Sequence, residues 1–270
     1  SSDGFTWTSA LNLSINESEI TGLIKDSNGD DQPIDAGFVT RLAIGQPVGA
    51  FFGLEFDGIY GPDDDIPAAL VQRGVSEGDV RYVDHNGDGN ITPEDRVFIG
   101  DPNADVFGNF RNTLRYKGFD MSFNWQFELG REIYNNTLAF AGPGSNPIFS
   151  KLSNGIDDFY TADNTDATQP RPRQGALQAF NSQDSSQYIE DGSYLRLKDI
   201  NIGYTFKVNL LDTDASLRVY VAGDNLITIT DYSGNDPEVN TFGSSNISRG
   251  TDFLSQGLNK TYKFGLNFKF

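Results

Sequence analysis

The fold is decided by residues 119–129, which read Phe119-Asp120-Met121-Ser122-Phe123-Asn124-Trp125-Gln126-Phe127-Glu128-Leu129. Apolar and polar residues alternate without a break, so an extended strand places all the apolar side chains on one face and all the polar ones on the other. The stretch has roughly the length, 9–11 residues, that a tilted strand needs to cross the hydrocarbon core of a bilayer. These residues therefore predict a long β-strand with one apolar face and one hydrophilic face.

Similar alternation recurs at residues 5–15, 106–116, 200–206, 217–222 and 260–270. The chain has 21 Phe, 11 Tyr and 29 Gly, a composition that favours strands and turns over helices. The hydrophilic faces carry more charged and amide side chains than a packed core could satisfy, whereas a water-filled lumen accommodates them. A half-buried sheet in a water-soluble sandwich also alternates, so the pattern by itself leaves both architectures open.

The lengths of the connections help to separate these two architectures. If the last strand, 260–270, ends on the periplasmic side, the predicted outer loops are 57–105, 131–192 and 228–259. The predicted inner turns are then Lys117-Gly118 and 207–215, and further strands are predicted at 19–25, 36–44 and 48–56. Long connections on one side and short ones on the other are typical of an outer-membrane β-barrel.

This scheme contains about nine strands and leaves both edges of the sheet without a partner. Lipid cannot satisfy an unpaired edge, so the chain is expected to pair with strands outside it. The chain opens Ser1-Ser2-Asp3-Gly4, without a start methionine or a signal peptide, as expected for a processed product or a piece of something larger. The predicted fold is all-β, with residues 1–270 forming the C-terminal part of a larger antiparallel transmembrane β-barrel.

The composition also excludes several functions. The 20 basic and 38 acidic residues give a net charge of −18, which disfavours binding to nucleic acid. The chain has no cysteine and one histidine, His85, so thiolate metal sites, cysteine nucleophiles and histidine-rich metal clusters are excluded. No stretch approaches the roughly 18 apolar residues of a membrane-spanning helix.

The sharpest local motif lies at residues 84–95, within the predicted outer loop 57–105. Its Asp-x-Asn-x-Asp-Gly pattern matches the calcium-binding loop of EF-hands, in which a glycine permits the sharp bend. The predicted ligands of Ca2+ are Asp84, Asn86, Asp88, Asn90 (through its carbonyl group) and Asp95. The last ligand is aspartate instead of glutamate, and the flanks lack helical periodicity, so a plain loop is expected. The alternative is a turn that binds nothing.

The rest of the loop 57–105 reads mainly as a solvated surface, because its twelve acidic residues face only three arginines. Neighbouring carboxylates such as Asp63, Asp64 and Asp65 suggest a hydrolase pair. Nothing near them supplies the apolar pocket that would separate their pKa values, so no enzymatic activity is predicted. The segment 141–192 is either a loop that contacts ligand or partner, or a surface excursion without such a role.

Seven stretches carry a further signal, namely Ile44–Gly53, Asp57–Tyr60, Gly78–Asp84, Ile99–Pro102, Ile189–Lys198, Asp224–Leu226 and Tyr232–Val239. In this order they resemble the C-terminal region of the SusC/RagA family of TonB-dependent outer-membrane transporters of Bacteroidota. The loop with Asp84, Asn86, Gly87, Asp88 and Gly89 matches the family's Asp-x-Asn-Gly-Asp-Gly motif residue by residue. The similarity covers nearly the whole chain.

The resemblance implies a barrel of about 22 strands with an N-terminal plug. It implies that the receptor imports oligosaccharides or peptides across the outer membrane of a Gram-negative bacterium, without catalysis. The implied partners are the remaining N-terminal barrel and plug portion, a SusD-like surface lipoprotein, the TonB complex (through the missing portion), outer-membrane lipid and the glycan or peptide cargo.

Several expectations remain open at this point. Tyr60 and Tyr232 fall in predicted outer loops, where each ring either stacks on a ligand or packs the loop. Arg196 and Lys198 are expected near the outer headgroup level. The rival functions are a secreted calcium-stabilised β-sandwich that binds glycans, a small self-contained barrel acting as an adhesin or structural protein, and a hydrolase.

Overall fold

The computed structural model describes residues 4–141, 158–210 and 213–270. The strands are β1 Thr6–Ile15, β2 Ile34–Ala36, β3 Thr40–Leu42, β4 Phe51–Gly53, β5 Phe56–Ile59, β6 Val80–Tyr82, β7 Val97–Gly100, β8 Val106–Tyr116, β9 Phe119–Leu129, β10 Glu132–Asn135, β11 Ile189–Asp191, β12 Tyr194–Leu210, β13 Thr213–Thr230, β14 Thr251–Asp252 and β15 Thr261–Lys269. The helices are α1 Ala68–Gln72, α2 Asn136–Ala141 and α3 Ala176–Asn181, and two 3-10 turns cover Pro93–Asp95 and Ser186–Tyr188. No helix among these residues is both long and apolar enough to cross a membrane.

Six long strands form one antiparallel sheet, called the wall below, in the order β1-β8-β9-β12-β13-β15. Lys117-Gly118 joins β8 to β9 at one end of the wall, and both residues have positive φ, 45° and 85°, as a tight hairpin turn requires. The long connections all leave the opposite end. They are named excursion 1 (16–105), excursion 2 (130–193) and excursion 3 (231–260).

The register of the wall joins the apolar positions of its strands into one continuous surface. Phe110 lies between Leu11 and Trp125, and Val221 lies between Ile202 and Phe264. The side chains on this surface are exposed or half-buried, with Phe264 83% and Trp7 64% accessible. They are therefore not packed between two layers, which removes the β-sandwich alternative.

The other face of the wall is hydrophilic and internally paired. The Asn12 amide donates to Asn109 at 3.0 Å, and the Asn109 amide donates to Asn124 at 3.1 Å. Arg218 donates through Nε to Asp120 at 2.9 Å and through Nη2 to Asn201 at 2.6 Å. Polar side chains can satisfy one another in this way because alternate residues of each strand share a face.

The described part of the wall has six strands, fewer than the sequence scheme contains. The predicted strand at 19–25 is absent apart from an isolated bridge between Lys25 and Asp31. The segments 36–44 and 48–56 overlap β2 to β5, which belong to small sheets outside the wall. Phe51 and Leu54 are fully buried, so their apolar side chains contribute to cores elsewhere instead of facing lipid.

This correction also changes the connections. The outer loop predicted at 57–105 begins at residue 16, and the predicted loops 131–192 and 228–259 correspond to excursions 2 and 3 with shifted bounds. The predicted inner turn 207–215 is mostly strand, and residues 211 and 212 lie outside the described residues. Part of the predicted segment 141–192, residues 142–157, also lies outside them.

The excursions fold together into a structure with its own cores, called the cap below. One core contains Leu54, Tyr60, Leu70 and Val80 of excursion 1 together with Phe180 of excursion 2. A second core joins Val39 and Phe51 to Tyr134 and Tyr188. A small sheet of β11, β10 and β14 links excursions 2 and 3. Each large apolar side chain that is buried contributes about 1.5–3 kcal/mol, so the cap is a packed body and not a set of free loops.

The wall ends in two open edges. Within the described residues, β1 pairs only with β8, and β15 pairs only with β13. The outward residues of both edge strands are exposed and apolar, including Ile15 at 76% and Leu266 at 69%. Open apolar edges pair with further strands when they lie in lipid.

Candidate functional site

A buried carboxylate, Asp79, joins excursion 1 to excursion 2. Its side chain has no accessible surface and accepts hydrogen bonds from Arg173 Nε at 2.7 Å, Asn181 Nδ2 at 3.0 Å and the Ser76 amide at 2.9 Å. Arg171 and Arg173 also donate to the Ser76 hydroxyl group, at 2.8 and 2.6 Å. Asp79 is therefore a structural partner and not one of the solvated acids expected in the loop 57–105.

The geometry around Asp79 explains the motif Gly78–Asp84. Gly78 has a φ of 83°, and a Cβ at this position would lie 2.5 Å from the Tyr160 ring, so only glycine fits. Val80 is buried in the first core, and the Tyr82 hydroxyl group donates to the Phe180 carbonyl at 3.0 Å. Burial raises the pKa of Tyr82 well above its ordinary value. The motif thus positions the calcium-like loop that follows it.

A second buried cluster joins excursion 3 to the wall. Arg196 of β12 is 1% exposed and pairs with Asp236 and Glu238 of excursion 3, the latter through Nε at 3.1 Å. Lys198 Nζ lies 3.1 Å from the same Glu238 carboxylate. This cluster is called the wall clasp below, and it joins two of the stretches that carry the family resemblance. Arg196 faces the hydrophilic side of the wall, because β12 alternates and pairs it with Gln126 and Thr228. Its place near the outer headgroup level stays a prediction.

The pKa of Asp236 shows that the wall clasp is a charged cluster. Burial by itself raises this pKa, but hydrogen bonds from Arg196 and from the backbone amides of Leu258 and Glu238 bring it below the ordinary value of 3.8. The backbone donors bond at 2.8 and 2.9 Å. Asp236 therefore stays ionised and holds excursion 3 on the wall at neutral pH.

The backbone amides of the calcium-like loop bond to the loop's own side chains. Asp84 accepts from the Gly87 and Gly89 amides at 2.7 and 2.8 Å. Asn86 and Asp88 each accept from the amide two residues on, at 2.9 and 2.7 Å. An ionised carboxylate offers about four lone pairs, so these bonds orient the side-chain oxygens without exhausting them. Strands β6 and β7 flank the loop, in agreement with the absence of helical periodicity.

Asp95, the twelfth residue of the loop, is turned inward. It is fully buried and accepts from the His85 amide at 3.1 Å and the Thr92 amide at 2.7 Å. The Gly89 amide is the main cause of a lowered pKa at Asp84, and the side chain of Asp95 also lowers it. Within the described residues, no group of three or more Asp, Glu, His or Cys side chains converges on one point. The donor set is thus of the kind that Ca2+ prefers, with amide and carbonyl oxygens beside the carboxylates, but Asp95 is already engaged by the backbone.

The two tyrosines predicted to contact a ligand are both buried. Tyr60 is 4% exposed in the first core, and Tyr232 is 5% exposed and donates to Asp252 at 2.7 Å. Their rings pack the cap, which is at odds with a stacking role. Asp64, one of the neighbouring carboxylates considered as a hydrolase pair, forms an ion pair with Arg81 at 2.8 Å. Of the two readings of these tyrosines, the structure favours loop packing.

Sequence reasoning missed the partners that hold the cap together. Asp79, Arg173 and Asn181 meet although they lie far apart in sequence, and the same is true of Arg196 and Asp236. Their burial could have been suspected because Asp79, Arg196 and Asp236 lie inside the stretches that carry the family resemblance. A charged residue embedded in an apolar motif often has a buried partner.

Sequence relatives are receptors of one kind. The chain is 36% identical over 280 residues to "TonB-dependent receptor P3" of Formosa agariphila, covering 98% of this chain and 27% of the relative. It is 33% identical over 278 residues to "TonB-dependent receptor P26" of the same organism, covering 99% and 27%. It is 27% identical over 251 residues to "TonB-dependent receptor SusC" of Bacteroides thetaiotaomicron, covering 87% and 22%. The chain spans about a quarter of the length of these relatives.

Solved structures support the fold. A chain in "Structure of the RagAB peptide transporter" aligns with a TM-score of 0.73 and 21% identity, over 97% of this chain and 27% of that one. A chain of the RagAB peptide importer in the open-open state aligns with a TM-score of 0.74, over 100% of this chain and 27% of that one. No family model matches the sequence. The wall is therefore part of a transmembrane β-barrel, and the relatives named here are receptors and transporters, which agrees with the prediction of no enzymatic activity.

Proposed function

Because the chain belongs to the SusC/RagA family of TonB-dependent receptors, we propose that it supplies barrel strands and extracellular cap to an outer-membrane importer. The observation that carries this proposal is the sidedness of the wall. One face is apolar and exposed, the other is hydrophilic, and all three excursions leave from the same end. Such a wall separates lipid from an aqueous lumen and carries the folded cap on its extracellular side.

The cargo in this proposal is an oligosaccharide or a peptide, and import needs partners outside this chain. The open edges at β1 and β15 are where the remaining barrel strands pair. A plug closes the lumen, the TonB complex supplies energy through the missing portion, and a SusD-like lipoprotein covers the cap. The proposed location is the outer membrane of a Gram-negative bacterium of the Bacteroidota.

The importer proposal predicts energy-dependent uptake. Deleting the whole receptor gene in its native host should abolish uptake of at least one labelled oligosaccharide or oligopeptide, and the full-length receptor should restore it. A protonophore should stop the restored uptake, because TonB-linked transport draws on the proton gradient. Uptake of every tested cargo that is unchanged after deletion would overturn the proposal, as would restored uptake that resists the protonophore.

We further propose that the loop 84–95 binds one structural Ca2+ through Asp84, Asn86, Asp88, the carbonyl of Asn90 and Asp95. The orientation of three side chains by the loop's own amides supports this proposal. The ion would link the end of β6 to the start of β7 and so stiffen excursion 1. Binding to the folded state alone stabilises it by about 2.7 kcal/mol when the ion is at a hundredfold its dissociation constant.

Calcium binding is tested by counting ions in the full-length receptor. Asp88→Ala should reduce the bound Ca2+ by one ion per receptor in equilibrium dialysis, whereas Asp63→Ala, outside the loop, should leave the count unchanged. An equal count in the Asp88→Ala variant would contradict the site.

A further inference from the structure

The cap contains a cavity of about 500 Å³ between excursions 2 and 3. Its lining includes Asn135, Thr137 and Leu138 from excursion 2 and Asn235, Asp252 and Leu254 from excursion 3. Most of the described lining residues carry a hydroxyl or amide group, but carbon atoms make up most of the accessible lining, with Leu138 and Leu254 among their sources. A volume of this size accommodates one unit of a small oligomer that has both apolar and polar groups.

Within the described residues, the ionisable groups at the cavity are acidic and no basic side chain pairs with them. Asp252 is the one ionisable side chain among the described lining residues; it is 4% exposed and forms no ion pair within the described part of the chain. Glu190 lies just behind the lining, where it accepts from Asn135 Nδ2 and Ser233 Oγ, both at 2.8 Å, and it too forms no ion pair among the described residues. A carboxylate in such surroundings favours a cation beside it.

Tyr232 lies beside both carboxylates. Burial raises the pKa of this phenol, and the hydrogen bond to Asp252 and the negative charges of Asp252 and Glu190 raise it further. The two carboxylates therefore act on the same small region, next to Ser233 in the cavity lining. An anionic ligand would be repelled there, whereas an ammonium group would be attracted.

Leu254 marks the rim of the cavity. Its φ is 53°, in the left-handed region that bulky residues rarely adopt, yet its side chain is 69% exposed. Its backbone amide donates to the hydroxyl group of Thr137 at 2.6 Å, and Thr137 is itself a lining residue. Packing does not require this conformation, since the side chain is exposed. The conformation instead holds an apolar group at the cavity mouth.

We propose that this cavity binds an amine-bearing unit of the cargo, with Asp252 and Glu190 attracting the ammonium group and Leu254 contacting its apolar side. This inference deepens the importer proposal and rests on it. Two sources supply the same chemistry: a lysine-containing peptide and an oligosaccharide of glucosamine. Acetylation of the amine removes the charge in both while it retains the hydrogen-bonding backbone.

The test is calorimetric binding to the full-length receptor in detergent. The probes are the peptide Ala-Lys-Ala and the glucosamine trimer, each beside its fully N-acetylated form. At least one amine form should bind about tenfold or more tightly than its acetylated form, as expected when a charged hydrogen bond is lost. The probe that shows this difference identifies the source. Equal binding of amine and acetylated forms, or no binding of either amine, overturns the inference.

Matched variants locate the site. Asn235→Lys places a cation at the rim and should weaken amine binding about tenfold, whereas Asn259→Lys, an exposed position of the same excursion outside the cavity, should not. Leu254→Gly relieves the positive φ without harming the fold and should also weaken binding, whereas Leu258→Gly should not. Unchanged affinity in both Asn235→Lys and Leu254→Gly overturns the assignment to this cavity.

The cellular uptake assay separates this inference from the importer proposal. If deletion of the receptor abolishes uptake of a cargo while the cavity variants import it normally, the cavity inference fails and the importer proposal stands. If deletion changes no uptake but the amine probes bind as described, the importer proposal fails and the cavity remains a binding site of another kind.

Discussion

Replacing Phe110 with arginine should prevent the receptor from accumulating in folded form in the outer membrane. Phe110 lies in the middle of β8, on the apolar face, between Leu11 and Trp125. An arginine that faces lipid at mid-depth costs about 2–4 kcal/mol, and the loss of aromatic contacts adds to this. Arg111 is the next residue in sequence and is accommodated because it points to the hydrophilic face.

The matched control for this prediction is Thr113→Arg. Thr113 lies on the same strand, but it faces the hydrophilic side between Thr8 and Ser122. Membrane fractions can be compared by surface protease protection and by the heat-dependent mobility of folded barrels. We expect a near-complete loss for Phe110→Arg and little change for Thr113→Arg. Equal accumulation of both variants would show that Phe110 does not face lipid.

The second large effect is expected at the wall clasp. Arg196→Met should release excursion 3 from the wall, because the buried Asp236 loses the guanidinium group that neutralises it. Removing one partner of a buried ion pair typically costs about 3–5 kcal/mol. Trypsin cleavage at Arg249 and Lys260, both in excursion 3, should accelerate in the full-length receptor, and the thermal unfolding midpoint should fall.

Two control variants separate the lost charge from the lost packing. Lys198→Met removes a partly exposed member of the wall clasp and should cost no more than about 1 kcal/mol. Adding Asp236→Asn to Arg196→Met removes the unpaired charge and should restore part of the protease protection. If the double variant is cleaved as fast as Arg196→Met alone, the uncompensated carboxylate is not the cause.

The same cluster sets a pH limit on the cap. The pKa of Asp236 in the folded state is below 3.8, so its contribution to stability is fully present above that value. The contribution is lost as the pH falls through the folded-state pKa, because the carboxylate then becomes protonated. Protection of excursion 3 should therefore be constant from pH 7 to about pH 5 and decline below pH 4.

The sequence predicted the wall strands well because their signal is local. Residues 119–129 and 106–116 have the bounds of β9 and β8, and Lys117-Gly118 is the predicted turn. The segments 36–44 and 48–56 also contain apolar residues at strand-like spacing, but these serve the cap. A short apolar run has the same pattern whether it faces lipid or a small core, so spacing alone could not assign it.

The candidate site, like the fold, was predictable from the sequence only where its signal is local. The loop 84–95 was recognisable because all its predicted ligands lie within twelve residues, and the hydrogen bonds that orient three of them are local. For Tyr60 and Tyr232 the sequence left stacking on a ligand and packing of the loop open, because their loops look solvated in sequence. Their burial depends on Phe180 and Asp252, which other parts of the chain contribute.

The sequence by itself determined the two-faced strands, their short and long connections, the calcium-like loop and the family resemblance. Each of these depends on residue order over a short range, where strand geometry alternates side chains and turns need particular residues. Only the tertiary structure decided which acids are buried, which tyrosines pack and where a cavity opens. Those outcomes depend on contacts such as Asp79 with Arg173, and such contacts form only when separate excursions meet in space.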